Sequence, residues 1–170
     1  MFTVKEALDT LTLQQLSHEF GDSILAHEFS YDMMSITVEK EAFLAVIRHL
    51  YEDHNLAFRF LTTLCGMHYP DKEKALGLVV HLHSFTNNHR IRIKVFTTDA
   101  DPHFPSLTSL FPTANWMERE TWDFFGIVFD GHPGLTRILN IDDFEGFPLR
   151  KDFPLEDQTR EDKDDTMFGR

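Results

Sequence analysis

Glu118, Glu120 and Asp123 lie close together, with His132 a little further on. Carboxylates grouped beside an imidazole are the material of a divalent-metal site or of a general acid/base pair. They belong to the stretch "NWMERETWDFFGI", residues 115–127, which reads as a short helix carrying charges and large aromatics at once. On a helical wheel Glu120 and Asp123 share a face with Trp116 and Arg119, whereas Glu118 points nearly the opposite way. The three carboxylates therefore do not converge. Arg119 stands four residues before Asp123, a spacing at which a guanidinium pairs with an acid. Ion pairing is the favoured reading, with a free-standing metal-dependent hydrolase built on Glu118, Glu120, Asp123 and His132 as the competing one.

Other candidates are weaker. His81 and His83 sit at i, i+2, a spacing that can present two ligands from one strand face, but no third ligand is evident. A polar strand face with Val80 and Leu82 turned inward is the favoured account. His49, His54, His68 and His89 are scattered singly and receive no role. Cys65 is the only cysteine, which excludes internal disulfides and Cys-rich metal sites, and its apolar surroundings predict a small buried hydrophobe. No phosphate-binding glycine loop, serine-hydrolase elbow or zinc-protease helix motif occurs.

Charge narrows the partners. With 28 acidic and 16 basic residues the net charge is −12, and no basic patch is evident in the sequence, so a nucleic-acid or anionic-membrane surface is not expected. The N-terminal "MFTVKEALDT" lacks the apolar segment of a signal peptide, and no apolar run approaches the ~18 residues of a membrane helix. The expectation is a soluble, cytosolic chain without direct membrane insertion.

These side chains must be positioned by the elements around them. "TLQQLSHEFG" has Thr12 and Gln15 at capping-box spacing and Gly21 as a stop, which predicts a short helix from Thr12. "SILAHEF" and "MSITV" predict a hairpin around Tyr31-Asp32. "EKEAFLAVIRHLYEDH" places Phe43, Ile47 and Leu50 on one helical face. "FRFLTTLCGMHYP" is less determinate. "KALGLVVHLHSF" and "HRIRIKVFTT" form a second predicted hairpin across Thr86-Asn87-Asn88. "DADPHFPS" reads as a loop, Ser106 is placed to cap a single turn, and Asn115 with Glu118 has capping-box spacing for a helix that Gly126 ends. "IVF" is the last strand candidate.

The result is an α+β domain of order α-β-β-α-β-β-β, with helices on a mixed or antiparallel sheet, followed by the motif helix and an extended arm. Residues 1–130 form the domain, 131–155 the arm, and 156–170 an acidic end whose composition predicts disorder and dispensability for folding. Seventeen Phe exceed what one modest core requires, which points to contact surfaces. The motif helix is accordingly expected to be enclosed on both sides, by its own domain and by the arm or another chain.

"WMERETWDFFGIVFDGHPGLTRIL" followed by "EGFPLRKDFPL" resembles the signature region of the 30-kDa subunit family of respiratory NADH:quinone oxidoreductase (complex I, NDH-1), whose bacterial members are its C subunits. The likeness continues through "PSLTSLFPTANW" and, more loosely, "HYP", "LGLVVHLHS" and "RIRIKV". It implies Trp116, Glu118, Arg119, Glu120, Asp123, Gly126, His132, Pro133, Arg137, Gly146, Pro148, Arg150, Lys151, Asp152 and Pro154 as motif and docking positions, none of them catalytic or a cofactor ligand. It further implies a scaffold subunit of the peripheral arm, beside the large quinone-site subunit and the small iron–sulfur subunits, at the cytoplasmic face of a bacterial inner membrane. FMN, iron–sulfur clusters and quinone then belong to the assembled complex, not to this chain. The alternative within the same fold is the equivalent subunit of a complex I-related membrane-bound hydrogenase, since docking residues do not report the electron donor. Thr136, His68 and Phe147 depart from the family pattern, which puts the partner contacts of Thr136 and Phe147 in question.

Overall fold

The computed structural model describes residues 4–154. The acidic end and its predicted disorder lie outside the described residues. The elements run α1 (Val4–Phe20), a short 3-10 turn, β1 (Ile24–Ser30), β2 (Met33–Val38), α2 (Phe43–Glu52), β3 (Phe60–His68), β4 (Leu76–Ser84), β5 (His89–Thr97), β6 (His103–Pro105), α3 (Ala114–Phe125) and β7 (Val128–Asp130). Five strands form one mixed sheet in the order β1-β2-β5-β4-β3, in which only β2 and β5 run parallel. The expected α+β class holds.

Alternation explains the sheet. Met34, Ile36 and Val38 of β2, Ile91, Ile93 and Val95 of β5, and Leu76, Leu78, Val80 and Leu82 of β4 all point to one face and are buried. Against them pack Leu16 of α1 and Phe43, Val46, Ile47 and Leu50 of α2, the predicted face of that helix. The other sheet face carries the alternate residues, including Ser35, His81, Arg92 and Lys94. Both hairpins form as read. Tyr31 and Asp32 adopt φ of 51° and 58°, the paired left-handed geometry whose twist suits a two-residue hairpin turn.

Three local readings are corrected. α1 begins well before Thr12, whose hydroxyl donates to the Leu8 carbonyl in mid-helix and caps nothing. The predicted "DADPHFPS" loop contains β6, which pairs in parallel with β7 through His103–Val128 and Phe104–Phe129. Cys65 is exposed, because β3 turns it toward the open sheet face; partial desolvation, then the charge of Glu120, push its thiol up from its ordinary range.

His89, given no role from sequence, ties α1 to the sheet. Its Nε2 lies 2.7 Å from Asp9 Oδ1, and both side chains are almost wholly buried. Breaking a buried pair strands the survivor without water, at a cost of about 3–5 kcal/mol. Asp9→Ala is expected to lose stability on that scale in urea unfolding, and a change below about 1 kcal/mol would show that α1 is held otherwise.

Candidate functional site

α3 begins directly after Pro112-Thr113 and stops at Gly126, which takes φ 72° and donates its N–H to the Trp122 carbonyl. Only a residue without Cβ suits this end, since a methyl on Gly126 would overlap the Phe147 ring. The expected Asn115–Glu118 capping box does not form: no side chain caps the helix start. The Glu118 carboxylate turns inward instead. Its Oε2 accepts the Ser106 hydroxyl at 2.7 Å and its Oε1 the Leu107 N–H at 2.7 Å. Ser106 also accepts the Thr108 N–H, as a cap for the predicted single turn. Glu118 has no exposed surface; burial pushes its carboxyl up to about 7 against the pull of the Leu107 N–H and the Ser106 hydroxyl.

Asp123, equally sealed, has a different solution. Its Oδ2 accepts the N–H groups of Ile138, Leu139 and Asn140 at 3.1, 2.9 and 3.0 Å. Its Oδ1 accepts Arg137 Nη1 at 2.7 Å and Asn140 Nδ2 at 3.0 Å. Burial alone would raise the carboxyl; the Asn140 and Leu139 N–H groups, Arg137 and the Asn140 amide overcome it and hold it far below the usual carboxylate range. Five donors fill the acceptor capacity of a carboxylate, so Asp123 has no free lone pair for a metal or a substrate proton.

The guanidinium on Asp123 is thus Arg137, not the predicted Arg119. Arg119 donates from Nε and Nη2 to the carbonyls of Thr136 and Arg137, at 3.0 and 2.8 Å, and covers the Trp116 ring. Residue 136 therefore contributes its carbonyl, a contact that needs no basic side chain. Arg137 also donates to the Phe144 carbonyl and stands over Trp122. Arg150 donates from Nε to the Phe125 carbonyl and reaches Asp99, and the Leu149 N–H meets the Phe124 carbonyl. The last-turn carbonyls of α3, which no helix can satisfy for itself, are met by Gly126, Arg137, Leu149 and Arg150. Two of these are cations at the negative end of the helix dipole.

The remaining motif residues shape residues 131–154, which hold turns but neither helix nor further strand. His132 donates from Nε2 to the Asn115 carbonyl and accepts the Gly134 N–H at Nδ1, next to exposed Pro133. Gly146 takes φ 87° beneath Phe153, and Pro148 is half-buried. The Lys151 N–H donates to His68 Nδ1 at 2.9 Å, which occupies that nitrogen's lone pair; Asp152, 3.7 Å from the same atom, is not hydrogen-bonded to it. Pro154, like Lys151 and Asp152, is exposed. Glu118, Glu120, Asp123 and His132 are not brought together, and among the described residues no three His, Cys, Asp or Glu side chains form a metal-ligand group. The Ser106 bond to Glu118 and the roles of Asn140 and His68 escaped sequence reasoning; for Asn140 no local spacing could have shown it.

Exposed on this assembly are Trp116 (60%), Leu139 (64%), Ile141 (67%) and Leu149 (50%), together with Glu120. Four large apolar side chains held in water by a hydrogen-bonded frame have the composition of a contact surface.

Two measurements test this geometry. Asp123→Asn places an amide N–H₂ against donors and should release the arm, seen as rapid proteolysis within residues 131–154 and a loss of about 3 kcal/mol or more. Glu118 works the other way with pH. Its folded pKa lies above its ordinary 4.5, so the native state binds the extra proton between about 4.5 and 7, and its contribution to stability falls as pH rises through that window. The loss is about 3 kcal/mol. Glu118→Gln should flatten that slope in urea unfolding at pH 5 and pH 8; an unchanged slope would assign it to other groups.

Likeness to known proteins takes in the whole of this site. The family described as "Respiratory-chain NADH dehydrogenase, 30 Kd subunit" matches residues 36–159, which include α3 and the described arm. The chain is 52% identical over 123 residues to the C subunit of the NADH-quinone oxidoreductase of Streptomyces coelicolor, covering 72% of this chain but only 49% of that relative. It is 49% identical over 151 residues to the C subunit of the Roseiflexus sp. enzyme, covering 88% and 86%. Among solved structures, a trypsin-resistant fragment of Nqo5 is 28% identical with a TM-score of 0.63, covering 73% of this chain and 99% of the fragment. A chain of an archaeal membrane-bound sulfane sulfur reductase, at 22% identity and a TM-score of 0.72, covers 86% of this chain and 85% of that one and shares the fold. With the match running from β2 through the Asp123 frame and the arm, this chain belongs to the 30 kDa subunit family of the respiratory-chain NADH dehydrogenase.

Proposed function

We propose that this chain is a structural, non-catalytic subunit of the peripheral, quinone-reducing arm of a proton-translocating NADH:quinone oxidoreductase. It docks beside the large quinone-site subunit and the small iron–sulfur subunits. The observation that carries the reading is the apolar surface of Trp116, Leu139, Ile141 and Leu149, projected from a frame whose own polar groups are saturated. A frame built this way has contacts to offer and no spare catalytic group to use.

Relatives named as C subunits of NADH-quinone oxidoreductases, at 52% and 49% identity, support NADH as donor over a hydrogenase-type complex, since the likeness to the sulfur reductase chain extends to fold alone. FMN, iron–sulfur clusters and quinone are assigned to other chains of the complex. No helix among the described residues is long and apolar enough to cross a membrane. The proposed placement is peripheral, at the cytoplasmic face of the bacterial inner membrane, with membrane attachment through partner subunits.

Glu120, exposed at the centre of α3, separates docking from folding. Glu120→Lys should leave the isolated chain within about 0.5 kcal/mol of its parent. It should nonetheless weaken assembly by about 2–5 kcal/mol, because the reversed charge is desolvated in the complex. Affinity purification of tagged chains from gently solubilised membranes, with quinone-reductase activity, reads both yield and partners. Normal yield with the variant, or capture of partners unrelated to quinone reduction, would overturn the assignment.

A further inference from the structure

The sheet face opposite the core concentrates positive charge in a chain that is otherwise strongly acidic. On central strand β5, Arg90, Arg92 and Lys94 occupy successive alternate positions and point away from the core residues Ile91, Ile93 and Val95. Their register sets Arg92 between Ser35 of β2 and His81 of β4. Arg92 donates from Nε to His81 Nε2 at 2.9 Å and from Nη1 to Ser35 Oγ at 3.2 Å, both neutral acceptors. Burial, then the Arg92 charge, push the His81 imidazole down, which keeps it an acceptor. No carboxylate bonds Arg92 among the described residues, and Arg90 is exposed. Lys94 alone is paired, with Glu28 at the margin.

A half-buried guanidinium hydrogen-bonded only to neutral groups is fixed in direction, and the carboxylate that feels its charge, Glu28, is already shared with Lys94. Alternate residues on a strand repeat about every 7 Å, so the three cations form a row about 14 Å long. A point anion such as phosphate needs converging donors, and a row does not converge. An anionic bilayer suits it no better, since Glu28 lies at its margin and the chain's net charge of −12 is repelled. An extended peptide has the same alternate-residue repeat as β5. We propose that this face is the docking surface for an extended acidic segment of a partner protein, with carboxylates at alternate positions seated over Arg90, Arg92 and Lys94. The surface is separate from α3 and the arm, and its existence does not depend on which complex the chain joins.

The test uses the full-length chain and a fluorescein-labelled decapeptide of alternating Glu and Thr, with the Gln–Thr peptide as control. Anisotropy should show saturable binding of the Glu peptide only, weakened at least tenfold between 50 and 200 mM salt as screening grows. Arg90→Gln combined with Lys94→Gln should weaken binding at least tenfold with an unchanged Tm. The reversed Arg90→Glu should abolish it. Equal binding of the two peptides, or of parent and double variant, overturns the proposal. Stronger variant-sensitive binding of inorganic phosphate or of phosphatidylglycerol vesicles overturns it in favour of those ligands. If the Glu peptide binds only after residues 155–170 are removed, the occupant is this chain's own acidic end and the assignment to a partner fails.

Discussion

The central stretch of the arm, residues 137–140, depends on one carboxylate. Asp123 sits in the last turn of α3, where a negative charge opposes the helix dipole, in a position without solvent. It is tolerable only because three consecutive backbone N–H groups, an amide and a guanidinium converge on it from residues 137–140. The dependence is mutual. Those N–H groups have no strand or helix to pair with, so the carboxylate serves residues 137–140 as a secondary-structure partner would. Arg137 and Arg150 then close the orphan carbonyls of the same turn, making helix end and arm one hydrogen-bonded unit.

α3 carries a second buried acid, and the contrast with it explains the helix. Glu118 is met by two neutral donors and no cation, so burial dominates and its carboxyl is held near neutrality. One acid faces the 106–108 turn of its own domain; the other faces the arm. A helix anchored by polar groups on two sides has no dry face and no wet face in the ordinary sense, which is why charges and aromatics are interleaved along it. Trp116 and Glu120 are left outside both contacts, exposed to solvent.

Much of the fold was legible because alternation and amphipathic spacing report burial directly, as in β2, β4, β5 and α2. Where reading failed, a local signal lost to a distant one. Thr12 and Gln15 have the spacing of a capping box, yet residues upstream also take helical form, so the pattern falls in mid-helix. β3 was indeterminate because its register shifts between Leu61 and Thr63, which breaks the alternation. β6 is too short, and too proline-flanked, to carry a period. Asn115–Glu118 and Arg119–Asp123 have favourable spacings, but desolvated acids take the partners that cover most lone pairs, and Ser106, Leu107, Arg137 and Asn140 do so from outside the helix. The clustering of charge was not legible for a related reason: "RIRIK" looks dilute along the chain, while the pleat gathers its three cations onto one face.

A contact surface formed before its partner arrives loses less freedom on binding. Irregular segments rich in glycine and proline commonly order only on docking, at a cost to affinity. Here the arm's turns are already fixed by bonds to Asp123, His68 and the α3 carbonyls, so Leu139, Ile141 and Leu149 are held in place in the free chain. Their exposure is also a liability, because large apolar side chains in water favour non-specific association. Saturating the buried polar groups beneath them limits that liability in one respect: Asp123 and the last-turn carbonyls of α3 keep no unpaired acceptor through which a poorly fitting chain could be retained. Selection then falls on the fit to the frame, and the frame is only as rigid as the bonds on Asp123, His68 and the α3 carbonyls.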